Sequence, residues 1–413
     1  MPSLSPVELL PTELTFQILL SLPLHDLKNF SLCSKSCHRT SHPIVFQRIK
    51  LTLDAAELTN IFSAFKEGGS LARVQSSVKY LAVRPPKLSE DFGAVIKAYQ
   101  LFTEWVHLFF SLTSLSLRID IPHDLMAKYQ DLEQRLFQVV FKRLEKDSPS
   151  YHNIKYFSLE INTTGHWFDM VPEEDTEKRL NEENREFLGI SPVNGVNTSS
   201  CGPLTGSYFP NLEELNFHYS LYTLPIGARG ELFPLSNILT ARETLRSVSL
   251  SVVQLNGFGE TMDYGLPDGE FLNVKVLRIH PYFMYDRSKA ILVLVKLFPN
   301  VEDLAIQTET DVFTGIQMVY DESYDSITLF PRVRSIRTFW LAEQTYPMGL
   351  EYLGWWELET ITKVWAEKAK MLESVVFVRY DPWDSLSAMA RAIEARIERS
   401  GGKDGVKCLW SDL

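Results

Sequence analysis

Phe298-Pro299-Asn300-Val301-Glu302-Asp303-Leu304-Ala305-Ile306 holds one period of a pattern that returns along most of the chain. Its second part reads apolar, two variable residues, apolar, one variable residue, apolar. The closing alternation is the period-2 signature of a strand with one buried face. Its first part is punctuation: Pro299 cannot continue a helix and turns the chain toward the strand, with Phe298 packed beneath. The same lead appears as Phe209-Pro210-Asn211 and Phe330-Pro331-Arg332.

Outward from this stretch, further copies run Val78 to Val83, Leu112 to Leu117, Ile154 to Leu159, Leu212 to Phe217, Leu245 to Leu250 and Val274 to Ile279. Weaker ones are Phe46 to Leu51, Val333 to Thr338 and Leu372 to Phe377. The apolar centres are Ile49, Leu81, Leu115, Phe157, Leu215, Val248, Leu277, Leu304, Ile336 and Val375, spaced 27 to 58 residues apart. Most intervals leave room for a helix. Asp54 with Glu57 makes a capping box before the stripe Leu58, Ile61, Phe62 and Phe65. Ser89 opens a segment with Phe92, Val95, Ile96 and Tyr99, and further apolar stripes follow at Leu132 to Val140, Ile291 to Phe298 and Leu358 to Leu372.

Repeated strand-turn-helix units cannot each bury their own apolar face, so they stack. The expectation is an α/β solenoid over residues 51–413, an irregular leucine-rich-repeat-like horseshoe with parallel strands inside and helices outside. Its period exceeds the regular 20–29 residues, and the usual Asn after each strand is mostly missing. An ordinary α/β domain is the alternative. The longest interval holds a charged and Gly/Ser/Asn-containing flexible insertion at about 165–208. The segment Ser385 to Arg399, with Leu386, Met389, Ala390 and Ile393 on one side, reads as a final capping helix.

Composition narrows the function classes. With 41 Lys plus Arg against 52 Asp plus Glu, the 413-residue chain carries a net charge of −11, unsuited to general nucleic-acid binding. No apolar run approaches the roughly 18 residues of a membrane span, and no signal peptide is apparent. Four cysteines are too few for a disulfide framework at this length. A cytoplasmic or nuclear protein without nucleic-acid or membrane partners is expected.

Residues 5–50 stand outside the repeat. Leu9-Leu10-Pro11-Thr12-Glu13-Leu14 leads into Phe16, Ile18, Leu19 and Leu22, followed by Pro23-Leu24-His25-Asp26-Leu27 and by Phe30-Ser31-Leu32-Cys33-Ser34-Lys35. Two or three short helices are implied, with Thr12 capping the first and Pro23 ending it. About forty residues cannot hide so many aliphatics, so a partner should cover some of them.

This segment resembles an F-box, and a fungal-type F-box followed by degenerate leucine-rich repeats is similar to the whole. Cys37 and Val45-Phe46 stand where the family has an aromatic and Leu-Trp. The resemblance implies docking on a Skp-type adaptor, and through it on a cullin-based (SCF-type) ubiquitin ligase. Carried over position by position, it implies adaptor contacts at Leu10, Pro11, Glu13, Leu14, Ile18, Leu22, Leu27, Leu32 and Phe46. The carboxy-terminal domain would select a protein substrate.

If the strand centres face inward, their neighbours form an open face. That places Tyr156, Glu160, Glu214, Asn216, His218, Arg278, His280, Asp303, Gln307, Arg337 and Phe339 as candidate substrate contacts. No motif implies a catalytic, cofactor or metal site. Cys33, Cys37, His38 and His42 lack the separated ligand pairs of a zinc finger. Gly257-Phe258-Gly259 does not continue as a dinucleotide loop, and no nucleophile elbow occurs. The expectation is a non-enzymatic substrate receptor. A scaffold that binds the adaptor without promoting degradation, and an unrecognised α/β enzyme, are the alternatives.

Overall fold

A computed structural model describes residues 10–52, 55–84, 92–122, 149–164, 209–220, 241–251, 270–280, 287–306, 327–341, 355–380, 392–399 and 406–412. They divide into two compact units, residues 1–209 and 210–413. The expected insertion at 165–208, the stripe at 132–140 and the capping residues Asp54 and Ser89 lie outside the described residues.

The first unit begins with three helices, α1 (Thr12–Ser21), α2 (Leu24–Ser31) and α3 (Lys35–Val45). Pro11 and Pro23 occupy the residues before α1 and α2, where a fixed φ suits helix entry. Thr12 therefore opens α1 as its first residue and is not its cap, contrary to expectation. Ser34 caps α3, its hydroxyl accepting from the Cys37 amide at 3.0 Å. Leu19, Leu27 and Ile44 bury themselves between the helices, with Phe16, Leu22, Phe30 and Val45 packed around them.

Only Phe46 and Gln47 separate α3 from strand β1 (Arg48–Thr52). Then follow α4 (Ala55–Phe65), β2 (Tyr80–Arg84), α5 (Phe92–Trp105), β3 (Ser114–Pro122) and β4 (Tyr156–Thr164). Neighbouring strands are parallel and follow chain order. The sequence-derived centres fall into register, Ile49 opposite Leu81, Leu81 opposite Leu115, and Leu115 opposite Phe157. Leu58, Phe62 and Phe65 of α4 and Val95, Ile96 and Tyr99 of α5 are buried, as the stripes required.

The second unit holds β5 (Glu214–Ser220), β6 (Ser247–Ser251), β7 (Val276–His280), α6 (Arg287–Leu297), β8 (Asp303–Ile306), β9 (Ser335–Leu341), α7 (Trp355–Lys368) and β10 (Ser374–Tyr380). These strands are again parallel, in chain order, with centres Leu215, Val248, Leu277, Leu304, Ile336 and Val375 in one row. Trp355-Trp356 opens α7.

The chain closes with β11 (Ala392–Arg399) and β12 (Val406–Asp412), both antiparallel. This corrects two expectations, an all-parallel strand set and a capping helix through Arg399. Ile393, Ala395 and Ile397 alternate at period 2, and that pattern governs residues 392–399. Neither unit's sheet closes on itself.

An aromatic position recurs six residues before the strand centre. Phe109, Tyr151, Phe209, Phe271, Phe298 and Phe330 occupy it, all buried. Tyr151 stacks on Phe209 with ring centroids 4.7 Å apart, and Phe271 approaches Phe298 at 5.6 Å. Two residues later, polar side chains tie successive turns together. Asn273 Nδ2 donates to the Glu243 carbonyl at 2.8 Å, Asn300 Nδ2 to Leu272 at 2.9 Å, and Thr244 Oγ1 to Leu212 at 2.7 Å. The asparagine sought after the strand therefore stands before it, satisfying turn carbonyls that the sheet ladder leaves unpaired.

Candidate functional site

The three amino-terminal helices keep an apolar surface open. Leu14 and Ile18 lie one turn apart on α1 and each is 48% exposed, and Leu32, at the end of α2, is 82% exposed. Leu10, Leu20 and Leu24 are exposed with them, so six of the thirteen exposed large apolar side chains among the described residues fall between Leu10 and Leu32. A solvated patch of this kind marks an interaction site. Pro11 and Glu13 are exposed at its edge.

Three of the expected contacts sit elsewhere. Leu27 is 3% exposed and belongs to the helical core, while Leu22 is half-buried against it. Entry of α2 at Pro23 turns Leu27 inward, its amide donating to the Pro23 carbonyl at 3.0 Å. Phe46 lies between His42, at 4.7 Å, and Phe65 of α4, at 6.4 Å, so its ring joins α3 to α4. The sequence reading missed Leu20 and Leu24. No signal pointed to Leu20, which falls on the side of α1 that carries the exposed Glu13, Gln17 and Ser21.

His38 and His42 bring their rings within 4.3 Å on α3. Burial, and then the charge of His38, hold His42 below its ordinary value. Cys33 is exposed and Cys37 buried. Among the described residues no group of three or more His, Cys, Asp or Glu side chains is placed to hold a metal ion.

On the open strand faces the expected contacts divide by unit. In the first, Tyr156 is exposed, and Glu160 is engaged by Arg118 at 3.3 Å. Burial weighs against the Arg118 charge, but the hydrogen bond that Arg118 donates to Asp120 and the two carboxylates raise its pKa above the ordinary value. In the second, Arg278, Asp303, Arg337 and Asn216 are exposed, and Glu214 and His218 half-buried. Asn216 and His218 already have partners. His280 and Phe339 lie on β7 and β9, with side chains outside the description, and Gln307 lies outside the described residues.

Residues 7–43 match the F-box domain family. The match spans α1, α2 and most of α3, and includes the whole exposed apolar patch. No curated protein matches the chain. The chain thus carries an amino-terminal F-box followed by a strand-rich α/β region, and F-box domains typically bind Skp-type adaptors. Among the described residues no helix is long and apolar enough to cross a membrane.

Proposed function

We propose that this protein is a non-enzymatic substrate receptor of an SCF-type ubiquitin ligase, an F-box protein of the fungal kind with degenerate leucine-rich repeats. The observation that carries the reading is the coincidence of the F-box match with the cluster of exposed aliphatics from Leu10 to Leu32. These side chains are ready to be covered by an adaptor. The in-register stacking of strand centres and the recurring buried aromatic support a repeat solenoid as the substrate-selecting part.

Function in this reading is proximity. Holding a target lysine near a ubiquitin-carrying enzyme raises its effective concentration, and no residue of this chain performs chemistry. The test is co-purification of the full chain with the Skp-type adaptor, beside a Leu10→Ala, Pro11→Ala double variant. The expected result is stoichiometric binding that the folded double variant loses. A folded wild-type chain that leaves the adaptor behind would overturn the proposal. Turnover of a captured partner that depends on Leu10 and Pro11 separates a receptor from a scaffold.

A further inference from the structure

In the second unit, the parallel register places Arg278 of β7, Ala305 of β8 and Arg337 of β9 side by side in one row. Adjacent strands lie about 4.8 Å apart, so the two arginine backbones are separated by two such steps, roughly 10 Å. Between them Ala305 contributes only a methyl group. The row continues to Ser249 beside Arg278 and to Val376 beside Arg337, both short and buried. Two long cationic side chains therefore flank a low floor.

Both arginines are exposed, and neither has an ion pair or hydrogen bond among the described residues. Several other strand and turn arginines have partners within the chain. Arg118 meets Asp120 and Glu160, Arg334 meets Glu373, and Arg396 meets Glu394. Arg399 donates to the carbonyls of Leu372, Ala366 and Ala369. In a chain of net charge −11, two exposed arginines that flank one floor and have no carboxylate partner among the described residues offer charge complementarity to an acidic segment of another molecule.

We propose that this row docks an acidic stretch of a partner protein, an extended peptide carrying two carboxylates two residues apart, on one face. The inference rests on the receptor reading and deepens it by naming the chemistry of the substrate segment. A guanidinium fork takes one carboxylate through two parallel hydrogen bonds, so two forks call for two carboxylates. An extended chain advances about 3.4 Å per residue and alternates its faces, which sets such carboxylates about 7 Å apart, within reach of two long arginine side chains whose backbones stand roughly 10 Å apart. A single phosphoryl group would instead draw both cationic heads together over Ala305 against their repulsion. Asp303 is exposed two residues before Ala305 on the same face. Its like charge steers the peptide carboxylates toward the carboxy-terminal side of the strands.

The experiment retains peptide pools on the immobilised full chain. One pool fixes two glutamates two residues apart, a second replaces them with glutamines, and a third carries one phosphoserine. The glutamate pool should be held about tenfold or more better than the glutamine pool, as loss of charge-assisted hydrogen bonds implies. Its retention should fall as salt rises. Arg278→Ala and Arg337→Ala should each abolish the preference while keeping the wild-type melting transition. Equal retention of the two pools, retention of the phosphoserine pool alone, or folded variants that keep the preference would each overturn the proposal. The adaptor experiment is independent. Adaptor binding without any pool preference refutes the docking row alone, and failure to bind adaptor refutes the receptor reading.

Discussion

Replacing Leu14, Ile18 and Leu32 together with Ala should abolish adaptor binding and leave the protein folded. Fully burying a Leu or Ile side chain contributes about 1.5–3 kcal/mol. Leu14 and Ile18 are already half covered within the free chain, each with 48% of its surface exposed. Covering the rest is worth about 1 kcal/mol apiece. Leu32, 82% exposed, has nearly its whole side chain left to bury, about 2 kcal/mol. Together these give about 4 kcal/mol, roughly a thousandfold in Kd. The same groups contribute little to folding, because they face water before the partner arrives, and exposed substitutions usually shift stability by about 0.5 kcal/mol or less. Leu27→Ala is the contrast. It removes a core side chain at a cost of about 2–5 kcal/mol, so it should lose the adaptor by unfolding α1 to α3. Titration calorimetry against the adaptor, with circular-dichroism melts of each variant, separates the two routes. A triple variant with an unchanged melt and a Kd within about threefold of wild type, a difference under 1 kcal/mol, would refute the assignment of this surface.

Two further outcomes follow from the core and from α3. Phe298→Ala removes a fully buried ring from the recurring aromatic position and should cost about 3–5 kcal/mol, read as a lower urea midpoint; an unshifted midpoint would show that the position does not bear on the fold. His42 is held below its ordinary 6.5, first by burial and then by His38, so the folded state favours the neutral ring. Its contribution is complete above pH 6.5 and is lost as pH falls from there toward the lower folded value. Melting temperature should decline through that window, and His42→Gln should flatten the decline; a variant that keeps the wild-type slope would assign the effect to another group.

Much of this architecture was legible because one physical requirement recurs. Each unit must bury a strand face against its neighbours, so Leu304 and its counterparts repeat and then stand opposite one another across the ladders. Phe298 and Phe330 were visible beneath their prolines for the same reason. Where two periods fit the same residues, sequence alone could not choose. Ile393, Ala395 and Ile397 satisfy alternation, while Ile393 also completes a helical stripe with Met389 and Ala390, and pairing with β10 and β12 decides for the strand. The asparagines at 273 and 300 were overlooked because their targets are carbonyls of the preceding turn, 30 and 28 residues earlier. At the adaptor surface, residue type identified an aliphatic patch but not its inward members. Leu27 and Leu32 are equally apolar, and only the turn at Pro23 and the packing of α3 send one inside.

Phe46 gains a different meaning from its position than from its family counterpart. A ring placed between His42 and Phe65 is held from both sides, and Phe65 in turn meets Phe109 at 5.1 Å. Beside it, the Gln47 carbonyl accepts from the amides of both Lys79 and Tyr80, at 3.0 and 2.9 Å. Swinging α1 to α3 away from α4 would separate the rings of Phe46 and Phe65. If the proposed receptor function holds, such stiffness serves it, since effective concentration depends on a short connection of defined length and stiffness. With two residues between α3 and β1, the F-box helices are set against α4 through one aromatic side chain in the joint.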